Sequence, residues 1–66
     1  MSPLLVATVY SDVAAVGKLL WHGANTEHQD KDGRTPLHLA AQTGDVAVVE
    51  ELLQYGANAN RKSKDG

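Results

Sequence analysis

Few residues in this chain are able to do chemistry, and their spacing argues against most of what they might do. His22, His28 and His38 are the three histidines, the candidate bases and metal ligands. Their separations match no zinc-ligand pattern, and there is no cysteine to complete a thiolate set. As a catalytic base His38 would need a carboxylate or a metal-completing partner at a fitting spacing, and none stands there. The run Asp30-Lys31-Asp32-Gly33 suggests a calcium loop at first sight. With Gly33 as the loop glycine, however, His28 would be the first ligand and Leu39 the closing glutamate, and neither supplies oxygen. A tight turn explains the same residues, because aspartate bonds the local backbone and glycine takes the reversal. Ser2, Ser11 and Ser63 lack the glycine-flanked elbow of a serine nucleophile. The glycines are dispersed along the chain rather than gathered around a phosphate. No catalytic residue, cofactor site or metal ligand is expected.

Binding of polyanions is no better supported. Arg61, Lys62 and Lys64 form the basic cluster, without an interleaved aromatic to stack a base. The net charge of −2 gives no pull toward nucleic acid or an anionic membrane. The segment Leu4–Tyr10 is apolar, but it has no basic leader and Asp12 follows too soon for a spanning helix. A chain without cysteine or leader fits an intracellular protein, cytoplasmic or nuclear. Trp21 and Tyr55 stand near the ends of two apolar segments, either as interface anchors or as covers for those ends.

The chemistry is thin, but the organisation is not. Moved along itself by 33 positions, the first half of the chain falls on the second. Pro3, Leu4 and Ala7 meet Pro36, Leu37 and Ala40, and Asp12-Val13-Ala14 with Val16 meet Asp45-Val46-Ala47 with Val49. Leu19-Leu20 and Gly23-Ala24-Asn25 meet Leu52-Leu53 and Gly56-Ala57-Asn58, and Lys31-Asp32-Gly33 meets Lys64-Asp65-Gly66. One unit has been used twice, over 2–33 and 34–66, within a single domain.

The second copy defines that unit. Thr35 before Pro36 is a hydroxyl N-cap followed by proline in the first helical position. Leu37, Ala40 and Ala41 give a small apolar stripe, and Gly44 ends the short helix. Asp45 caps a second helix carrying Val46, Val48, Val49, Leu52 and Leu53, and Gly56 ends it. The first copy repeats these devices with Ser2, Pro3, Asp12 and Gly23. Gly17 stands inside its second helix, at an expected cost of about 1 kcal/mol relative to alanine. Neither helix pair can bury its own apolar face, so the two must stack.

The segment Asp32-Gly33-Arg34-Thr35-Pro36-Leu37-His38-Leu39-Ala40-Ala41, with Gly44-Asp45, Val48-Val49, Leu52-Leu53 and Gly56-Ala57-Asn58, resembles an ankyrin repeat. The first copy departs from that pattern at Leu5, in place of the signature histidine, and at Ser11, in place of the helix-ending glycine. The resemblance implies an all-α solenoid of helix–turn–helix units joined by a β-turn or hairpin loop. It implies a structural role for Thr35, Pro36, His38, Gly44 and Gly56, with the imidazole hydrogen-bonding near Thr35 to tie units together. It also implies a non-catalytic module that binds another protein through turn tips and the exposed stripe of the first helices. Carried over by position, that surface is Gln29, Lys31, Asp32 and Arg34, then Gln42 and Thr43 with their counterparts Val9 and Tyr10, then Lys62, Lys64 and Asp65. Its charges predict a polar partner, acidic opposite Arg34. The alternative is a structural spacer packed within a larger enzyme or channel.

The chain starts at a helix cap and stops at the opening of a third turn, the expected look of a piece of a longer array. Two units fall short of the three or so that an independent solenoid needs. Weak stability is therefore expected, or self-association through Leu4, Leu5 and the face of the last helix pair.

Overall fold

The computed structural model describes residues 2–60. They form four helices, α1 (Pro3–Val9), α2 (Val13–Trp21), α3 (Pro36–Thr43) and α4 (Val46–Gln54), and no strand is found among them. None of these helices is long and apolar enough to cross a membrane. The opening of a third turn falls outside the described residues.

Each helix begins where a side-chain oxygen accepts a backbone N–H left over at its first turn. Ser2 Oγ accepts from Leu5 at 3.2 Å, and Asp12 Oδ1 accepts from Ala15 at 3.1 Å. Asp45 Oδ1 accepts from Val48 at 3.3 Å. Thr35 does more. Its Oγ1 accepts from the N–H of His38 at 3.4 Å, while its own N–H donates to His38 Nδ1 at 3.0 Å. This is a capping box with an imidazole where a glutamate usually stands.

The first helices of the two units, α1 and α3 (the inner helices), end in one geometry reached by different residues. Gly44 takes a left-handed conformation at φ 72°, and the N–H of Asp45 returns to the carbonyl of Ala40 at 3.0 Å. In the first unit Ser11 is forced to φ 55°, with the N–H of Asp12 returning to Ala7 at 3.0 Å. The turn is therefore set by the repeat, and Ser11 adopts it against its own preference.

The two units stack with α1 on α3 and α2 on α4, and each unit's own pair packs together as well. Leu4, Ala7, Val16 and Leu20 from the first unit form one core with Ala40, Val48, Leu52 and Ala57 from the second. Thr8, also buried, donates its hydroxyl to the carbonyl of Leu4 at 2.8 Å, so no polar group is stranded there. The expectation that Leu4 and Leu5 form a self-association surface is corrected here. They are 2% and 0% exposed, because the helix turns both toward the interior. The apolar residues that α1 and its end leave outside are Val6, Val9 and Tyr10. At Gly17 an added Cβ would lie 2.9 Å from Glu51 Oε1, the far end of a flexible side chain that can swing aside, so the packing of α2 on α4 does not itself demand a glycine there.

Candidate functional site

Between the units the chain makes a knot of local bonds, centred on Asp30. Its backbone N–H donates to the carbonyl of Arg34 at 2.9 Å, and its carbonyl accepts from Gly33 at 3.0 Å. Its Oδ1 accepts from the N–H groups of Asp32 and Arg34, each at 2.9 Å. The guanidinium of Arg34 completes the knot, with Nε 3.1 Å from Asp30 Oδ2 and a second nitrogen 2.8 Å from Asp32 Oδ2. The Arg34 N–H is the main cause holding the Asp30 carboxyl below its ordinary value of 3.8. Partial burial opposes it, and the Asp32 N–H and the guanidinium support it. Gln29 adds a bond from its amide nitrogen to the carbonyl of Gly33 at 2.9 Å. The loop is thus densely bonded to itself although it is open to water.

A second set of bonds ties this loop to the stack. Glu27 accepts from its own neighbour Thr26 at 3.2 Å and from the N–H of Asn58 at 3.1 Å, thirty-one positions further on. The polar stretch after the first unit is therefore joined at Glu27 to Asn58, where the stretch after the second begins.

Together with α1 and α3 this loop lines an open groove of about 600 Å³. Val9 and Leu39 give it apolar walls, and the loop gives it a polar rim of His28, Gln29, Asp30, Lys31, Asp32 and Arg34. Of the residues singled out from the sequence, Val9, Gln29, Lys31, Asp32 and Arg34 come together here. Tyr10 does not: it is 78% exposed and lines a different groove beside Val6 and Leu19. Gln42 and Thr43 are exposed late on α3 and line neither groove, Thr43 returning its hydroxyl to the carbonyl of Ala40 at 3.0 Å. Lys62, Lys64 and Asp65 lie outside the described residues.

Three lining residues were not singled out as binding residues from sequence. Asp30 had a visible signal, the aspartate two positions before another aspartate and a glycine, which marks a side chain that closes a turn. Leu39 had a weaker one, as an apolar residue off the Leu37–Ala40–Ala41 stripe. His28 had none. The charge expectation also changes. Arg34 is engaged by two aspartates, so the exposed cation at the loop tip is Lys31, not Arg34.

His38 is engaged with the cap of its own helix. Its Nδ1 accepts from Thr35, which is 2% exposed, and an acceptor so engaged is not available as a general base. Asp12, Asp45 and Ser2 are occupied as helix caps. What the geometry presents is a surface with apolar walls and a charged, internally bonded rim, an arrangement suited to binding.

The family model described as ankyrin repeats (three copies) matches residues 1–65. No curated protein matches the chain. Ankyrin repeats are generally modules that bind other proteins and are typically non-catalytic. With two copies of the unit stacked in register, capped at Thr35-Pro36 and turned at Gly44, the chain belongs to the ankyrin-repeat family.

Proposed function

We propose that this chain is a non-catalytic interaction module that takes a protein partner in the groove between α1, α3 and the loop 28–34. The observation that carries this reading is the groove itself, apolar at Val9 and Leu39 and edged by a loop that its own hydrogen bonds hold still. A surface already ordered loses little entropy on binding, which favours affinity. The partner presents an apolar side chain to Val9 and Leu39 and an acidic group to Lys31. Gln42, Thr43 and Tyr10 extend the contact along the exposed ends of the inner helices. Lys62, Lys64 and Asp65, outside the described residues, are included in the proposed contact on their sequence positions alone. The cysteine-free composition supports a place inside the cell, in cytoplasm or nucleus.

The test is capture from cell lysate with the parent chain and with a Val9→Glu, Lys31→Glu double variant, after circular dichroism shows equal helicity. Arg34 stays untouched because it braces the loop. A protein retained by the parent and lost by the variant supports the groove. Equal capture by both places the contact elsewhere, and no capture by a folded parent favours the spacer role.

A further inference from the structure

At the loop tip, Asp32-Gly33 sets a carboxyl beside the least shielded kind of backbone nitrogen, since glycine has no side chain. Every other aspartate and asparagine within residues 2–60 is followed by a residue that has one. At an aspartyl–glycine bond the nitrogen of the second residue can attack the side-chain carboxyl carbon of the first. A carbon–nitrogen bond forms and a carbon–oxygen bond breaks. The oxygen leaves as water, with the amide proton and one proton from solvent, and a cyclic imide remains. Water then reopens the ring at either carbonyl. One opening restores aspartate, and the other gives isoaspartate, in which the main chain runs through the side-chain carboxyl.

The loop holds both partners of that attack. The Gly33 N–H is spent on the carbonyl of Asp30 at 3.0 Å. The Asp32 carboxylate is bonded to Arg34, with a guanidinium nitrogen 2.8 Å from Oδ2. The Asp32 N–H is fixed as well, donating to Asp30 Oδ1 at 2.9 Å. Arg34 is itself anchored on Asp30, through Nε at 3.1 Å and its backbone N–H at 2.9 Å. Water is not kept out, because the Asp32 side chain is 44% exposed. Protection therefore has to come from the bonds rather than from burial. Nor is the glycine easily replaced by a residue that would slow the attack, because the turn holds it at φ 77°.

We propose that Asp32-Gly33 is a latent site of isoaspartate formation, which the bonds among Asp30, Asp32, Gly33 and Arg34 keep closed in the folded chain. The rearrangement proceeds only from the fraction of molecules in which those bonds are open. Isoaspartate adds one backbone atom between positions 32 and 33 and moves the free carboxylate. Gly33 and Arg34 then lose the spacing at which both reach Asp30, so a molecule that has reacted no longer closes the loop. The inference holds whatever the groove binds.

The test follows the whole chain at neutral pH and body temperature over weeks, beside a free peptide of residues 28–36. A glutamate-specific protease releases residues 28–50 by cutting after Glu27 and Glu50. Electron-transfer fragmentation then tells isoaspartate from aspartate at equal mass. Asp65-Gly66, the same pair outside the described residues, leaves in a different fragment. The chain is expected to accumulate isoaspartate at position 32 about tenfold more slowly than the peptide, or slower still, as an open fraction near one-tenth or below requires. Arg34→Gln, at unchanged helicity, should bring the chain to within roughly threefold of a peptide carrying the same change. Should that variant lose helicity, hydrogen exchange of the parent decides, with the Gly33 amide expected to exchange about tenfold more slowly than in the peptide. Chain and peptide rearranging at one rate would overturn the proposal. So would a folded Arg34→Gln as slow as the parent, or a Gly33 amide that exchanges at the peptide's rate.

Discussion

Ser11 shows how a single residue departs from the repeat while the backbone does not. Its counterpart Gly44 enters the left-handed region at no steric cost, whereas a side chain there costs on the order of 1 kcal/mol. Ser11→Gly should therefore stabilise the chain by about 0.5–1 kcal/mol, less than the full strain because glycine also loosens the unfolded chain. Urea denaturation monitored by helicity reads this directly, and an unchanged or lower midpoint would mean that the strain is relieved elsewhere. The pair Leu5 and His38 makes the complementary point. The histidine closes a capping box through Nδ1, and the leucine at the same position buries itself completely. The same slot in the unit can be held by a hydrogen bond or by apolar burial. Sequence alone showed that Leu5 breaks the pattern. It did not show that Leu5 points inward, since α1 is apolar nearly all round and its periodicity singles out no face.

Among the elements, the loop at 28–34 contributes most to the site and was least legible. The helices announced themselves through caps, prolines and apolar spacing, and their bounds follow Ser2-Pro3, Asp12, Thr35-Pro36 and Asp45 closely. The loop announced only that it would turn. Which of its charges face the groove depends on a network around Asp30 that spacing does not reveal. Arg34, expected to meet a partner's acid, turned out to be bound at home. The network sets a pH dependence. The Asp30 carboxyl sits below its ordinary value of 3.8 in the folded chain, so its contribution is complete above that value. It is lost as pH falls through the lowered folded value. Parent and Asp30→Asn should thus differ in stability near neutral pH and converge in strong acid, as urea midpoints across the acid range will show. A constant difference at every pH would mean that the asparagine disturbs packing rather than charge.

For the whole molecule the governing fact is that two units share one core, so neither is expected to survive the loss of the other's contribution. Leu52 is 0% exposed in that core, and Leu52→Ala should cost about 2–5 kcal/mol. A small domain rarely holds much more than that in reserve. The far-ultraviolet circular dichroism of the variant should therefore show all helices lost together, including α1 and α2. Survival of the first unit alone would contradict a shared core. The stacking was readable from the 33-residue offset, because a unit that cannot cover its own apolar face needs a neighbour. The groove was readable only in part, since it arises where the loop and the inner helices meet across the stack. A protein seated in that groove can be caught there by site-specific photocrosslinking in cell lysate. A photoreactive residue is placed at Val9 in one chain and at Ala47, exposed on α4, in another. A crosslinked protein partner is expected from position 9 and none from position 47. Crosslinking from position 47 alone, or equally from both, would contradict it.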